Sequence, residues 1–479
     1  MMTKFITSGF KIALFSTLLS LPILAQQVKR TPFDVTNYVM DVALIPTERK
    51  LNATVDVTFT PLEDTRTVSF ELNGSLKVDT ITRQDKVLVM TPAAPVSPTA
   101  PKATPKPAVQ PAVNPVTFVQ DQSNSSDLGP HVRIDLGDNV TKGTSVTLRF
   151  KYSGVLDTPA GGPLLSKRLA SVGDTSGYLM YAARWFPFHD YAADPSMADI
   201  SISLPAGFQL VGYSDAPVTN VGGKSRFVQS TPALIGNFAY GKYAQKTLRI
   251  SDQELQFNTR PGSEAQVAAY GETLGKALVD YTKRFGPADY GKKLIVVQID
   301  DESLDFYSSK GMLFIASRPF EEARDITYSR LQREAAFQWW GLTVGLKSFD
   351  EAWLSQGLAE YCAFSLRESE TDGAKLDGLR RELLEKSLTF EQTASLLRAP
   401  ANLDDQSSAY QYIMYAKGAF VFKLLRETLG DQKFDQLLRT YLQQYRGKSA
   451  SIDDFEKLTT QVAGQPMRYF FARWVEGTG

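Results

Sequence analysis

Between Leu331 and Ser365 the chain reads LQREAAFQWWGLTVGLKSFDEAWLSQGLAEYCAFS, the stretch of this sequence with the most chemistry in it. Arg333 places a cation within one helical turn of Glu334 and Phe337, and Gln356 follows Phe337 after eighteen intervening residues. A guanidinium stays protonated and has no lone pair to donate, phenylalanine has no donor atom, and a glutamine offers only a neutral amide oxygen. Glu334 alone could act as a base, and Arg333 could pair with it. Other nucleophiles and ligands are scarce. The chain has two histidines, His131 and His189, and one cysteine, Cys362. A lone cysteine in an apolar context reads as a small core residue, and the adjacent His189-Asp190 reads as a loop feature rather than a catalytic dyad.

Two kinds of element must position these residues. From about residue 28 to 245 the apolar pattern has period two. Ala53, Val55, Val57 and Phe59 alternate with polar residues, as do Val146, Leu148, Phe150 and Tyr152, and Ile200, Ile202 and Leu204. That predicts a large antiparallel β domain with one face of each sheet wet. Residues 92–115 hold eight of the 25 prolines, which keeps them out of a sheet interior and predicts an extended inserted loop. From about 262 the period becomes 3.6. Val267, Tyr270, Leu274, Leu278, Tyr281 and Phe285 form one stripe, closed by Gly286-Pro287. Leu294 to Ile299 reads as a buried strand, and Phe434, Leu437, Leu438, Tyr441 and Tyr445 as a late helical stripe. The expected organisation is α+β and multidomain, with residues 28–245 as the β domain and 246–479 as a mostly helical domain with a small sheet.

With 479 residues, 43% hydrophobic and 11% aromatic, the chain can bury large cores. Basic and acidic residues number 52 each, which argues against a nucleic-acid partner. Residues 1–25 have the form of a secretory signal peptide: Lys4 and Lys11, an apolar run from Ile12 to Leu24, and small-residue cleavage before Gln26. The run is short for a membrane span. The expectation is an exported protein, periplasmic or extracellular, with membrane attachment only through an uncleaved signal segment.

The Leu331–Ser365 segment resembles the active-site region of M1-family aminopeptidases, a gluzincin family. These carry H-E-x-x-H, eighteen residues, and then Glu within W-L-N-E-G-x-A-x-Y. Here the same spacing reads Arg333-Glu334-Ala335-Ala336-Phe337 and Trp353-Leu354-Ser355-Gln356-Gly357-Leu358-Ala359-Glu360-Tyr361. Trp185-Phe186-Pro187 with Asp190 resembles the family's W-F-P-x-x-D, and Tyr415-Ala416-Lys417-Gly418 its Y-x-K-G. The resemblance covers roughly residues 33–474. It implies an N-terminal β saddle domain followed by a thermolysin-like, mainly α-helical peptidase domain, without the C-terminal domains of larger members.

In the family, two His and a Glu hold zinc, which activates a water and polarises the peptide carbonyl. The Glu after the first His is the general base, and the Tyr hydrogen-bonds the oxyanion. Glu334 and Tyr415 therefore stand at remnant catalytic positions. Arg333, Phe337 and Gln356 stand at degenerate ligand positions, so no zinc or other cofactor is expected. The family's G-x-M-E-N stretch supplies a Glu that grips the free amino terminus of the substrate. Ser308 falls at that place, with Glu302 close enough to substitute. The reading is an exported, zinc-free pseudopeptidase that keeps a cleft for a peptide or protein ligand. Two alternatives stay open: an active metallo-aminopeptidase with a non-standard metal site, and a structural or interaction protein whose cleft is filled.

Overall fold

The computed structural model describes residues 32–84, 113–121, 131–156, 167–190, 194–403 and 407–478. The signal-peptide segment, and the proline-rich stretch up to residue 112, lie outside them. The described residues belong to one compact unit, Thr31–Gly479.

The period-two segments form the expected strands. Lys50–Pro61 alternates without a break, with Val55, Val57 and Phe59 fully buried. It pairs with Phe33–Ile45 on one side and Val146–Val155 on the other, so that Val42 faces Ala53 and Val57 faces Leu148. Pairing in this register puts every second side chain of three neighbouring strands on one face, and that face becomes the core. The eight-stranded sheet departs from the antiparallel expectation once, because Phe33–Ile45 runs parallel to Ser196–Ser203. The long excursion between these two strands gives the chain room for the crossover that parallel pairing needs. Leu204 falls just past the strand end and is half-buried. Val113–Pro115, the last residues of the proline-rich stretch, are not loop but the sheet's outermost strand, paired with Leu76–Gln84. An edge strand tolerates proline because one row of its backbone groups has no neighbour to bond.

The second sheet does the positioning. Its five strands are, in spatial order, Ala244–Ile250, Gln253–Thr259, Lys293–Ile299, Met312–Ala316 and the edge strand Phe306–Ser309. The apolar run Leu294–Ile299 is explained by burial on both faces. Leu294 and Val296 join the helical core with Leu313 and Ile315. Ile295, Val297 and Ile299 join the β core with Met312 and Phe314. Each such side chain contributes roughly 1.5–3 kcal/mol when fully buried, so the sheet is the layer shared by the two cores.

The helical stripe packs as its spacing requires. Val267, Tyr270, Leu274, Leu278 and Tyr281 are fully buried along the Val267–Phe285 helix. Gly286, at φ 84°, closes it by donating to the Thr282 carbonyl, a conformation that costs a residue without a Cβ little. The helices Asp325–Phe337, Trp353–Ser369 and Gly418–Leu429 pack against one another beside this sheet.

Candidate active site

Arg333 and Glu334 sit near the C-terminal end of the Asp325–Phe337 helix, which runs into a π-helical turn at Gln338–Thr343. The Gln338 amide donates to the Ser309 carbonyl at 3.0 Å and accepts from Gly311 N at 3.1 Å. This staple holds the helix end against the edge strand Phe306–Ser309, and it brings Ser308 Oγ to 2.7 Å from Glu334 Oε2. The Phe337 ring folds over the next turn, where a Cβ on Gly341 would collide with it.

Gln356 comes from the Trp353–Ser369 helix and Tyr415 from the π-helical turn Tyr412–Lys417. A glycine contact brings these two elements together. A Cβ on Gly418 would stand 2.9 Å from the Gly357 Cα. Such close approach of two helices needs glycine on both sides, and it sets Gln356 and Tyr415 on the same cleft.

The centre of the cleft is an ion pair. Arg333 donates to Glu334 Oε1 from Nη2 at 2.9 Å and from Nε at 3.2 Å. Its Nη1 lies 3.9 Å from Glu360, which also meets Arg367 at 3.6 Å. The guanidinium carbon stands 4.3 Å from the centre of the Tyr415 ring, a cation–π distance. Both paired side chains are largely buried, Arg333 14% and Glu334 11% exposed. Burial opposes the charge on Arg333, but the Glu334 carboxylate, Tyr415 and the Glu360 carboxylate outweigh it and hold the guanidinium firmly protonated.

Arg333, Glu334, Phe337, Gln356, Tyr415 and Ser308 all line one open cavity of about 210 Å³. Glu302 does not. A turn in which Asp301 Oδ1 accepts from Ser303 N and Oγ leaves Glu302 exposed at the corner before the edge strand, so Ser308 alone of the two stands in the cleft. His131 and His189 lie in the β part, outside the cavity. His189 Nδ1 pairs with Asp194 at 2.8 Å and its ring stacks on Phe33. Cys362 is fully buried beside the Trp340 indole, and burial pushes its thiol up to about 12, far from a reactive thiolate.

The arrangement does not fit zinc. Of the three ligand positions, one holds a cation, one a hydrocarbon ring and one a neutral amide, and among the described residues no group of three His, Cys, Asp or Glu could hold a metal ion. Glu360 and Arg367 were not singled out from the sequence, and Gln338 fits the family's flanking pattern without a role of its own. The signal for Glu360 was its i, i+4 spacing from Gln356 on one helix face; the Gln338 staple left no such signal.

Residues 299–474 match the model of the peptidase family M1 domain. This segment is similar to an M1-type peptidase domain. The M1 region contains every element that builds the cleft floor, from the edge strand to the tyrosine turn. Rat (Rattus norvegicus) glutamyl aminopeptidase is 24% identical over 327 residues, covering 62% of this chain and 34% of that protein. Aminopeptidase M1-A of rice (Oryza sativa subsp. japonica) is 22% identical, covering 62% and 36%. The chain thus spans about a third of the length of these curated relatives. The crystal structure of an M1 zinc metallopeptidase from Deinococcus radiodurans shares the fold, with a TM-score of 0.72 at 18% identity over 94% of this chain and 96% of that one. A variant of the Deinococcus radiodurans enzyme bound to a Tyr-Ser-Ala substrate superposes with a TM-score of 0.68 at 18% identity, over 93% and 95%. The M1 fold is therefore present over nearly the whole chain, with a β-rich part followed by a helical one.

Proposed function

We propose that this chain is an exported M1 aminopeptidase-like protein that works without zinc, a pseudopeptidase whose remnant cleft holds a peptide or a segment of a partner protein. The observation that carries the reading is Arg333. Its guanidinium takes the place of the first metal ligand, neutralises Glu334 and stacks on Tyr415. Losing a metal dication from an acidic pocket would leave unpaired carboxylates, which is costly. Arg333 supplies a positive charge in its stead, and glutamine at 356 removes one anion. The changes at 333 and 356 compensate one another in charge.

The open cavity favours a binding role over a filled, purely structural cleft. The peptide-bound structural neighbour supports a peptide as the class of ligand. Export rests on the basic start and apolar run of residues 1–25. Among the described residues no helix is long and apolar enough to cross a membrane.

The test is the zinc content of the purified mature protein after incubation with zinc and desalting, together with hydrolysis of aminoacyl anilides. The expected result is about zero equivalents and no turnover above background. One tightly held equivalent, or zinc-dependent cleavage, would sink the reading and restore the metallo-aminopeptidase alternative.

A further inference from the structure

A cleft that selects a free peptide amino terminus must offer the α-ammonium a carboxylate whose charge is not already spent. Among the described residues, the only carboxylate lining the cavity is Glu334. Its Oε1 accepts two hydrogen bonds from Arg333, and its Oε2 accepts one from Ser308. The nearby Glu360 lies behind Arg333, shared between that residue and Arg367, and does not line the cavity. The remaining surface is largely aromatic, with Phe306, Tyr307, Phe337, Phe349 and Tyr410 around Tyr415.

Resting on the peptide-cleft reading above, we infer that the cleft has lost selectivity for a free amino terminus and takes an aromatic or apolar peptide segment without one, either the interior of a chain or an N-blocked end. An entering ammonium would shed its water and find, among the described residues, the one lining carboxylate already held by Arg333 and Ser308; stripping a charge in this way is costly. A neutral, acylated segment carries no such cost, and its side chains gain the aromatic contacts. Arg333 is the selecting residue, because it spends the charge of Glu334.

The experiment is calorimetric titration of the mature protein with two peptides that differ only at the amino terminus, Phe-Phe-Ala amide and its N-acetyl form. The amidated ends remove any contribution from a carboxylate. The acetylated peptide is expected to bind at least about tenfold tighter. Equal binding, or tighter binding of the free-amine form, overturns the inference and leaves the peptide cleft standing. Binding of neither form overturns the peptide cleft itself, and the inference with it. The Arg333→Gln variant, checked for folding by circular dichroism, releases the Glu334 charge. It is expected to cut the preference for the acetylated peptide about tenfold. An unchanged preference in the folded variant overturns the assignment of selectivity to Arg333. If the variant does not fold, the wild-type ratio decides alone.

Discussion

Two largely buried arginine–glutamate pairs stand out among the described residues, and they sit in different surroundings. In the β part, Arg184 meets Glu71 at 2.7 Å, with the two side chains 1% and 7% exposed. Arg184 adopts a left-handed φ of 57° as it closes the turn Tyr181–Ala183. The backbone around the pair is also tied: Glu71 and Phe188 exchange hydrogen bonds at 2.8 Å, and Asn73 N donates to the Arg184 carbonyl at 3.0 Å. Trp185 and Phe186 pack beside it in the core. That pair is a joint between a strand and a loop. Arg333 and Glu334 are neighbours on a single helix, so their pairing ties no distant segments together. They face an open cavity and engage a hydroxyl and an aromatic ring there. Burial is common to both pairs; what sets Arg333–Glu334 apart is the cavity beside it.

The comparison implies that exchange at position 333 costs less than exchange at position 184. The largest effect is expected from exchanging all three ligand positions at once, in the variant R333H/F337H/Q356E. It restores two imidazoles at i and i+4 and a carboxylate on the next helix. Elemental analysis should find close to one equivalent of zinc, and a folded variant without zinc would show that the cleft frame has shifted. Next comes Arg184→Met, which strands the Glu71 carboxylate in the core. Urea denaturation should report a loss of about 3–5 kcal/mol; a loss under 1 kcal/mol would remove the distinction between joint and cleft.

Arg333→Met should cost less, about 2–3 kcal/mol, because the cleft admits water to Glu334. Adding Glu334→Gln should recover most of that loss, and a double-mutant cycle measures the coupling directly. The smallest effect is expected from Gly418→Ala, about 1–2 kcal/mol from forcing the two helices apart at Gly357. Its distinguishing mark is weaker peptide binding, read by the same titration, since the contact aligns Gln356 with Tyr415.

Much of this was legible in the sequence because it depends on spacing. The i, i+4 relation of Arg333 and Phe337, the strand alternation around Val55 and the stripe from Val267 to Phe285 follow from helix and strand periods alone. The approach of Ser308 to Glu334 was not legible in the same way. It depends on the Gln338 staple across elements, which no local pattern records. Glu302 illustrates the limit: six residues from Ser308 it is near in sequence, but the Asp301 turn aims it at solvent. The Gly357–Gly418 contact belongs with these, since each glycine is explained only by the other. Val113–Pro115, the described end of the proline-rich stretch, departs from the loop reading because a sheet edge accepts proline.

The Arg333–Glu334 pair also bears on how such a protein could change over generations. Arg333→His alone would strip Glu334 of its countercharge, and Phe337→His alone would set an imidazole beside a fixed cation that repels a metal. Gln356→Glu alone would add an ion to a largely buried site before any metal could use it. Two of these three first steps toward a zinc site, those at 333 and 356, are expected to cost stability before any metal can bind, so on the pseudopeptidase reading proposed above the guanidinium would act as a ratchet against regaining one.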